Sequence, residues 1–288
     1  MKIGPISDEA FDLPEEIIEK YKIGVARFKI DLQELKNLPG NIYQKTREAE
    51  RRGIESVVKT SQPSINDFLS IFKEKLNEFE EVFCVTISSK LSGTYNAAVQ
   101  AKKFLQKEFQ DKVHVIDSLN GSAGQGLVVL KIIELAKRNL NSQEINNKIK
   151  ESIEKTKLLG MYHDPKWLKA SGRFPRFVPA IMEKAEKMSI KPVFKMENGK
   201  LSVAGVKRNI IDLSSALFEE FDKATKKARR EGKKIIVGIT HADDISQATK
   251  LKEMVLSLKN TEVAFINLTC FPIGGHIGPN SLILSWQE

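Results

Sequence analysis

Apolar residues recur at two different spacings along the chain. In SINDFLSIFKEKLNEF, residues 64–79, Phe68, Phe72, Leu76 and Phe79 fall on one face at helical spacing, and Ser64 with Asp67 forms a capping box ahead of them. GTYNAAVQAKKFL and GQGLVVLKIIELAKR predict two further helices. VFCVTIS, from Val82 to Ser88, and VHVID, from Val113 to Asp117, are short apolar runs that predict strands. KIGPIS near the start predicts a weaker one, because Pro5 would remove a ladder hydrogen bond from a central strand. Strands separated by helices imply a parallel sheet in an α/β layer fold.

The pattern changes near residue 160. HDPKWLKASG predicts a helix with Asp164 as N-cap, Pro165 in the first position and Gly172 as its stop. IKPVFKMENGKLSVAGVK reads as a hairpin turning at Asn198-Gly199. A helix through LSSALFEEF, the strand KIIVGIT, the helix ISQATKLKEMVLSLK, the strand EVAFINLT and a glycine-rich loop, FPIGGHIGPNS, follow. This half is mixed α+β. The expected division is a parallel-sheet α/β/α domain over 1–158 and an α+β domain over 159–288, consistent with what 288 residues support.

Composition narrows the class. With 41% hydrophobic and 29% charged residues the chain reads as globular and able to bury a core. No run approaches the ~18 apolar residues of a membrane span. Met1-Lys2 leads into the acidic SDEAFDLPEE rather than a signal-peptide core, so a cytoplasmic location is expected. Cys84 and Cys270 lie in separate strand-like apolar runs and are expected to be buried free thiols.

The net charge of +9 raises nucleic acid, an anionic membrane surface or an acidic partner. Much of the excess lies in KATKKARREGKK, Lys223 to Lys234, which ends a helix at Gly232, where the macrodipole favours cations. Only Phe221 is near, so the run lacks the stacking platform of a single-strand binder and reads as a solvated helix end, not a nucleic-acid site.

Spacing also tests the usual chemistries. His114, His163, His241 and His276 are scattered, with no metal-ligand pattern; His114 reads as an exposed strand residue and His163 as a structural one before a cap. GSAGQG, from Gly121 to Gly126, matches neither the dinucleotide nor the P-loop fingerprint and reads as a helix start that packs on the sheet, so no cofactor is expected. Neither Ser92 nor Ser122 sits in a nucleophile elbow, though an acyl-ester hydrolase using Ser92 with His276 as base stays open as the alternative. What remains is a set of neutral donors: TSQPS (Thr60 to Ser64), SGTY (Ser92 to Tyr95) and His276 among glycines. Hydroxyls and amides at a helix N-terminus suit an anionic oxygen. With no lysine or arginine in those motifs except Lys90, they suit one carboxylate better than a polyphosphate.

At these residues the chain resembles the DegV family of fatty-acid-binding proteins, which includes the acyl-carrying subunit of bacterial fatty acid kinase. The likeness runs nearly end to end: SDEAFDLPEEIIEKYKI with Asp8 and Asp12 in register, TSQPS, ISSKLSGTYNAA, the stretch from Val115 to Val128, SGRF at Ser171 to Phe174, and GGHIGPNSLILSW, in the family's order. The resemblance implies two α/β domains with a long-chain fatty acid buried between them. Its carboxylate would be held by Thr60, Ser92 and His276, with the Gly93 and Thr94 amides, Ser61 and Gly278 completing the cradle. Arg173 would lie at the pocket mouth, where a separate ATP-dependent kinase subunit docks. The chain would be a lipid carrier without catalysis of its own, with transient membrane contact and no metal. It departs from the family pattern at Glu9 and Ala10 (usually Ser or Thr), Ser171 (Gly), Ile277 (Thr) and Asn280 (Gly). Asn280 can still supply a left-handed backbone. At about 0.8 kcal/mol per methylene, a tail of about fifteen would dominate affinity, while each hydroxyl contact, worth about 1 kcal/mol, would set the register.

Overall fold

In the computed structural model the described residues are 2–31, 35, 37–53, 59–138, 140–164, 167, 185, 188–210 and 212–288. The predicted helix at 164–172 and the SGRF motif with Arg173 lie outside them, Asp164 and Trp167 excepted.

Four strands form a parallel sheet in the order β2 (Gly24–Ala26), β1 (Ile3–Asp8), β5 (Glu81–Thr86), β6 (Val113–Asp117). A two-stranded antiparallel ribbon, β3 (Lys29–Asp31) with β4 (Lys59–Ser61), stands apart. Six strands form a mixed sheet: β11 (Thr261–Leu268), β10 (Ile235–His241), β12 (Leu282–Gln287), β7 (Lys157–Met161), β8 (Ile190–Glu197), β9 (Lys200–Arg208). Only β10 and β11 run parallel in it. The expected α/β architecture, one parallel and one mixed sheet, is the observed one.

The layers follow from where apolar faces find partners. Helices Ile65–Glu78 and Thr94–Lys103 cover one face of the parallel sheet, burying Phe68, Phe72, Cys84 and Ala98. The Ser64/Asp67 capping box opens the first of them, as expected. Helix Ser122–Ala136 covers the other face, and its core of Phe83, Leu127 and Ile132 continues into Phe265 of the mixed sheet. This one helix therefore touches strands of both sheets, which explains why it is apolar all round rather than amphipathic. On the far side of the mixed sheet, helices Leu213–Arg230 and Ile245–Leu256 bury Leu217, Phe221, Leu251 and Trp286.

Several local expectations change. Pro5 does sit in the middle strand, but β2 pairs only with Ile6 to Asp8, so β1 is flanked on one side alone at Pro5. The hairpin turns where expected, with Asn198 at φ 50° and Gly199 at φ 79°. FPIGGHI is not a loop but a helix, Phe271–Ile277, with a proline in its first turn. Cys270 is its N-cap, half-buried and outside the strand, whereas Cys84 is fully buried. His114 is not exposed: it stacks on Phe83 and bonds Glu81 at 2.6 Å, with Asn146 on its other nitrogen. The basic run does end a helix, with Lys227, Arg229 and Arg230 in the last turn and Gly232 beyond at φ 78°.

Candidate functional site

The C-terminal ends of parallel strands are where an open α/β sheet offers a crevice, and β1, β5 and β6 end together at Asp8, Thr86 and Asp117. The loop leaving β5 is fastened from below. Asp8 accepts the Ile87 amide at 2.7 Å, the Ala10 amide at 3.0 Å and the Gln125 side chain at 3.1 Å. Asp117 accepts the amides of Ser89 and Leu119. Burial outweighs those bonds at Asp8 and pushes its carboxyl up to about 6.

This scaffold sorts the hydroxyls of TISSKLSGT. Thr86 points back to the Ile116 carbonyl at 3.4 Å, and Ser88 donates to the Gly199 carbonyl at 2.7 Å while accepting the Lys90 amide. Those two are structural, and the second ties the hairpin tip of the mixed sheet to the loop. Ser92 and Thr94 are left to each other, with their hydroxyl oxygens 2.8 Å apart. Between them Gly93 is the N-cap of helix Thr94–Lys103, and no side chain caps that helix. Of the first-turn amides, that of Thr94 reaches the Ser92 hydroxyl at 3.4 Å, and Gly93 itself offers no side-chain acceptor to the others. Gln62 lies against the glycine: its amide group stands where a Cβ at Gly93 would be. That contact brings TSQPS against SGTY. Thr60 and Ser61 lie two residues and one residue before Gln62, on β4, Thr60 half-buried and Ser61 exposed.

The second wall is helix Phe271–Ile277, which ends with His276 and Ile277. A buried polar hub holds its start. Asp12, at φ 51°, accepts the Cys270 amide at 2.8 Å and the Ser122 hydroxyl at 2.5 Å, and Ser122 meets Thr240 at 2.7 Å. Desolvation pushes the Asp12 carboxyl up to about 7. Tyr43 donates to the Thr269 carbonyl at 2.5 Å and packs its ring edge-on to Phe271. Beyond the helix, Gly278 turns at φ 81° with the Trp167 ring where a side chain would stand. Asn280 takes φ 61°, the left-handed backbone allowed for it, and Arg47 reaches its side chain and that of Asp243. The two walls approach where Ile87 and Ile273 both pack on Gly121.

The departures from the family pattern have local uses. Glu9 accepts the Phe28 amide at 2.7 Å, and Ala10 is fully buried. Ile277 packs with Leu201 against the stacked pair Tyr162 and Phe194, a small apolar cluster that begins one residue from His276. Gln62, Tyr43, Asp12 and Trp167 shape the walls without standing out as site residues in the sequence. The ordered motifs that contain Gln62 and Asp12 carried a signal for those two, and nothing in the sequence marked Tyr43 or Trp167 as part of a site. Among the described residues no three His, Cys, Asp or Glu side chains gather as a metal site, and no helix is long and apolar enough to cross a membrane.

Comparison with known proteins places this arrangement. A DegV domain-containing protein of Clostridium perfringens is 30% identical over 296 residues, covering 100% of this chain and 99% of that one. A protein named fatty acid-binding protein, from Thermotoga maritima, is 28% identical over 98% of this chain and 96% of its own. The solved structure of a fatty-acid-binding DegV family protein from Thermus thermophilus superposes with a TM-score of 0.85 at 25% identity, covering 100% of both chains. Residues 2–288 match the family described as "Uncharacterised protein, DegV family", and the chain belongs to the DegV family.

Proposed function

We propose that this protein binds one long-chain fatty acid and presents its carboxylate to a separate ATP-dependent fatty acid kinase. The observation that carries the reading is the uncapped start of helix Thr94–Lys103, where Gly93 is flanked by the Ser92 and Thr94 hydroxyls and touched by Gln62. A helix N-terminus whose N-cap residue supplies no side-chain acceptor favours an anion, and neutral hydroxyls bind it without neutralising its nucleophilic oxygen. The names of the Thermus and Thermotoga relatives support a fatty acid as that anion.

In this reading Thr60, Ser61, Ser92, Gly93 and Thr94 hold the head group from one wall, and His276 with Gly278 from the other. The tail runs along Ile277 toward Tyr162 and Phe194. Arg173, which lies outside the described residues, is the residue that the family resemblance assigns to the kinase partner. The chain is a carrier: carboxylate phosphorylation needs a nucleotide site that its motifs do not supply.

Native mass spectrometry of the purified protein, followed by denaturation and lipid extraction, tests the first half. About one long-chain fatty acid per chain is expected, lost in the Thr60→Val/Ser92→Ala double variant. An empty chain that takes up neither palmitate nor oleate overturns the reading. Acyl phosphate formed from ATP by the purified chain alone would overturn the carrier role.

A further inference from the structure

The opposite end of the parallel sheet carries a second feature. A groove of about 590 Å³ opens beside the N-terminal ends of β1 and β5, in the volume range of small-molecule sites. Its floor is apolar: Ile3, Ile132 and Ile133 are buried beneath it, and Phe79 and Tyr21 form its sides. Its rim holds four lysines, Lys2, Lys20, Lys22 and Lys137, against one glutamate, Glu80. Six strand residues at about 3.3 Å each separate this end from Asp8, so the groove lies roughly 20 Å from the head-group walls.

The charge is only partly compensated. Lys22 pairs with Glu78 at 3.1 Å, but among the described residues no carboxylate lies within ion-pair distance of Lys2, Lys20 or Lys137. Aromatic faces hold these ammonium groups in place instead. Lys20 and Lys137 sit 5.4 and 5.1 Å from the Tyr21 ring centre, Lys137 also reaches the Tyr21 hydroxyl at 3.4 Å, and Lys2 lies 5.0 Å from the Phe79 ring centre. Two of the lysines close helices, Lys20 ending Glu15–Lys20 and Lys137 following Ser122–Ala136, and there they offset the dipole. Lys2 precedes a strand and has no such role. An apolar floor with three rim lysines that make no ion pair among the described residues complements one kind of guest, a chain with an anionic head.

We propose that this groove is a second binding site, for a single-chain anionic amphiphile: its alkyl chain lies on Ile3, Phe79 and Ile133, and its head is taken by Lys2, Lys20 and Lys137. The inference stands apart from the head-group site and does not require it.

Calorimetric titration of dodecyl phosphate, below its micelle concentration, into palmitate-saturated protein tests the site. Saturable uptake of about one per chain is expected, weakened at least tenfold in Lys20→Gln/Lys137→Gln and abolished in Ala136→Glu, with palmitate content unchanged in both. Raising salt to 0.5 M should weaken it as well. Equal binding of dodecyltrimethylammonium, or unchanged uptake in both variants, overturns the proposal. So does binding confined to phosphatidylglycerol vesicles with none to the monomer. If the chain holds no palmitate, the same variants still decide the groove, because its residues are not those of the acid cradle.

Discussion

Asp12 and Asp8 are carboxyl groups closed off from water, and burial raises them to about 7 and about 6 despite the amides and hydroxyls they accept. Each therefore holds its proton more tightly in the folded chain than near the ordinary 3.8. The stability they contribute is fully present below about pH 4 and is lost as pH rises toward 6 and 7. Other groups move the opposite way, Glu48 held down to about 2 by Arg51 and Arg52 among them, so a variant is needed to isolate the effect. In urea unfolding, the stability of wild type relative to Asp12→Asn should fall by a few kcal/mol between pH 4.5 and 7.5. A difference that stays flat across that range would contradict the assignment of Asp12 as a proton-holding hub. At Gly278, both the φ of 81° and the Trp167 ring exclude a side chain. Gly278→Ala should cost about 1–3 kcal/mol, read as a lower urea midpoint at unchanged slope.

At the scale of elements, helix Phe271–Ile277 shows what a sequence hides. Its seven residues include one proline and two glycines, a composition that argues for a loop by propensity. It is helical because Asp12 holds the amide ahead of it and Tyr43 fastens its entry at Thr269, contacts from residues more than two hundred positions away. Tyr43→Phe keeps the ring on Phe271 but leaves the Thr269 carbonyl unpaired. Thermal unfolding should show a loss of about 1–3 kcal/mol. Helix Ile65–Glu78 is the opposite case: its apolar face and its Ser64/Asp67 box are both local, so its periodicity and cap suffice to define it. Strands β7 and β12 were not legible, because KLLGM carries a glycine and no turn signal, and LILSWQ follows directly on the turn at Asn280. The motif residues were readable as donors, but the sorting of Thr86 and Ser88 into the scaffold, leaving Ser92 and Thr94 at the helix start, depends on Ile116 and Gly199, which no local pattern links to them.

For the molecule as a whole, the shared core around helix Ser122–Ala136 means that the two sheets are not independent bodies hung on a linker: Leu127 and Ile132 pack with Phe83 on one side and Phe265 on the other. A ligand held between walls from both sheets should therefore report on global stability rather than on one half. Anything that binds only the folded chain adds RT ln(1 + [L]/Kd), about 2.7 kcal/mol at a hundredfold excess over Kd. Delipidated protein given palmitate at that ratio should melt in a single transition raised by roughly 5–10 °C, at about 2–4 °C per kcal/mol for a large domain. The Thr60→Val/Ser92→Ala variant should lose most of the shift. Methyl palmitate separates the two contributions, since it keeps the tail and removes the charge. If burial of the tail supplies affinity and the hydroxyls set only its register, the ester should retain a sizeable part of the shift in wild type and an equal part in the double variant. An ester as effective as the acid in wild type would leave the uncapped helix start at Gly93 without a carboxylate to hold.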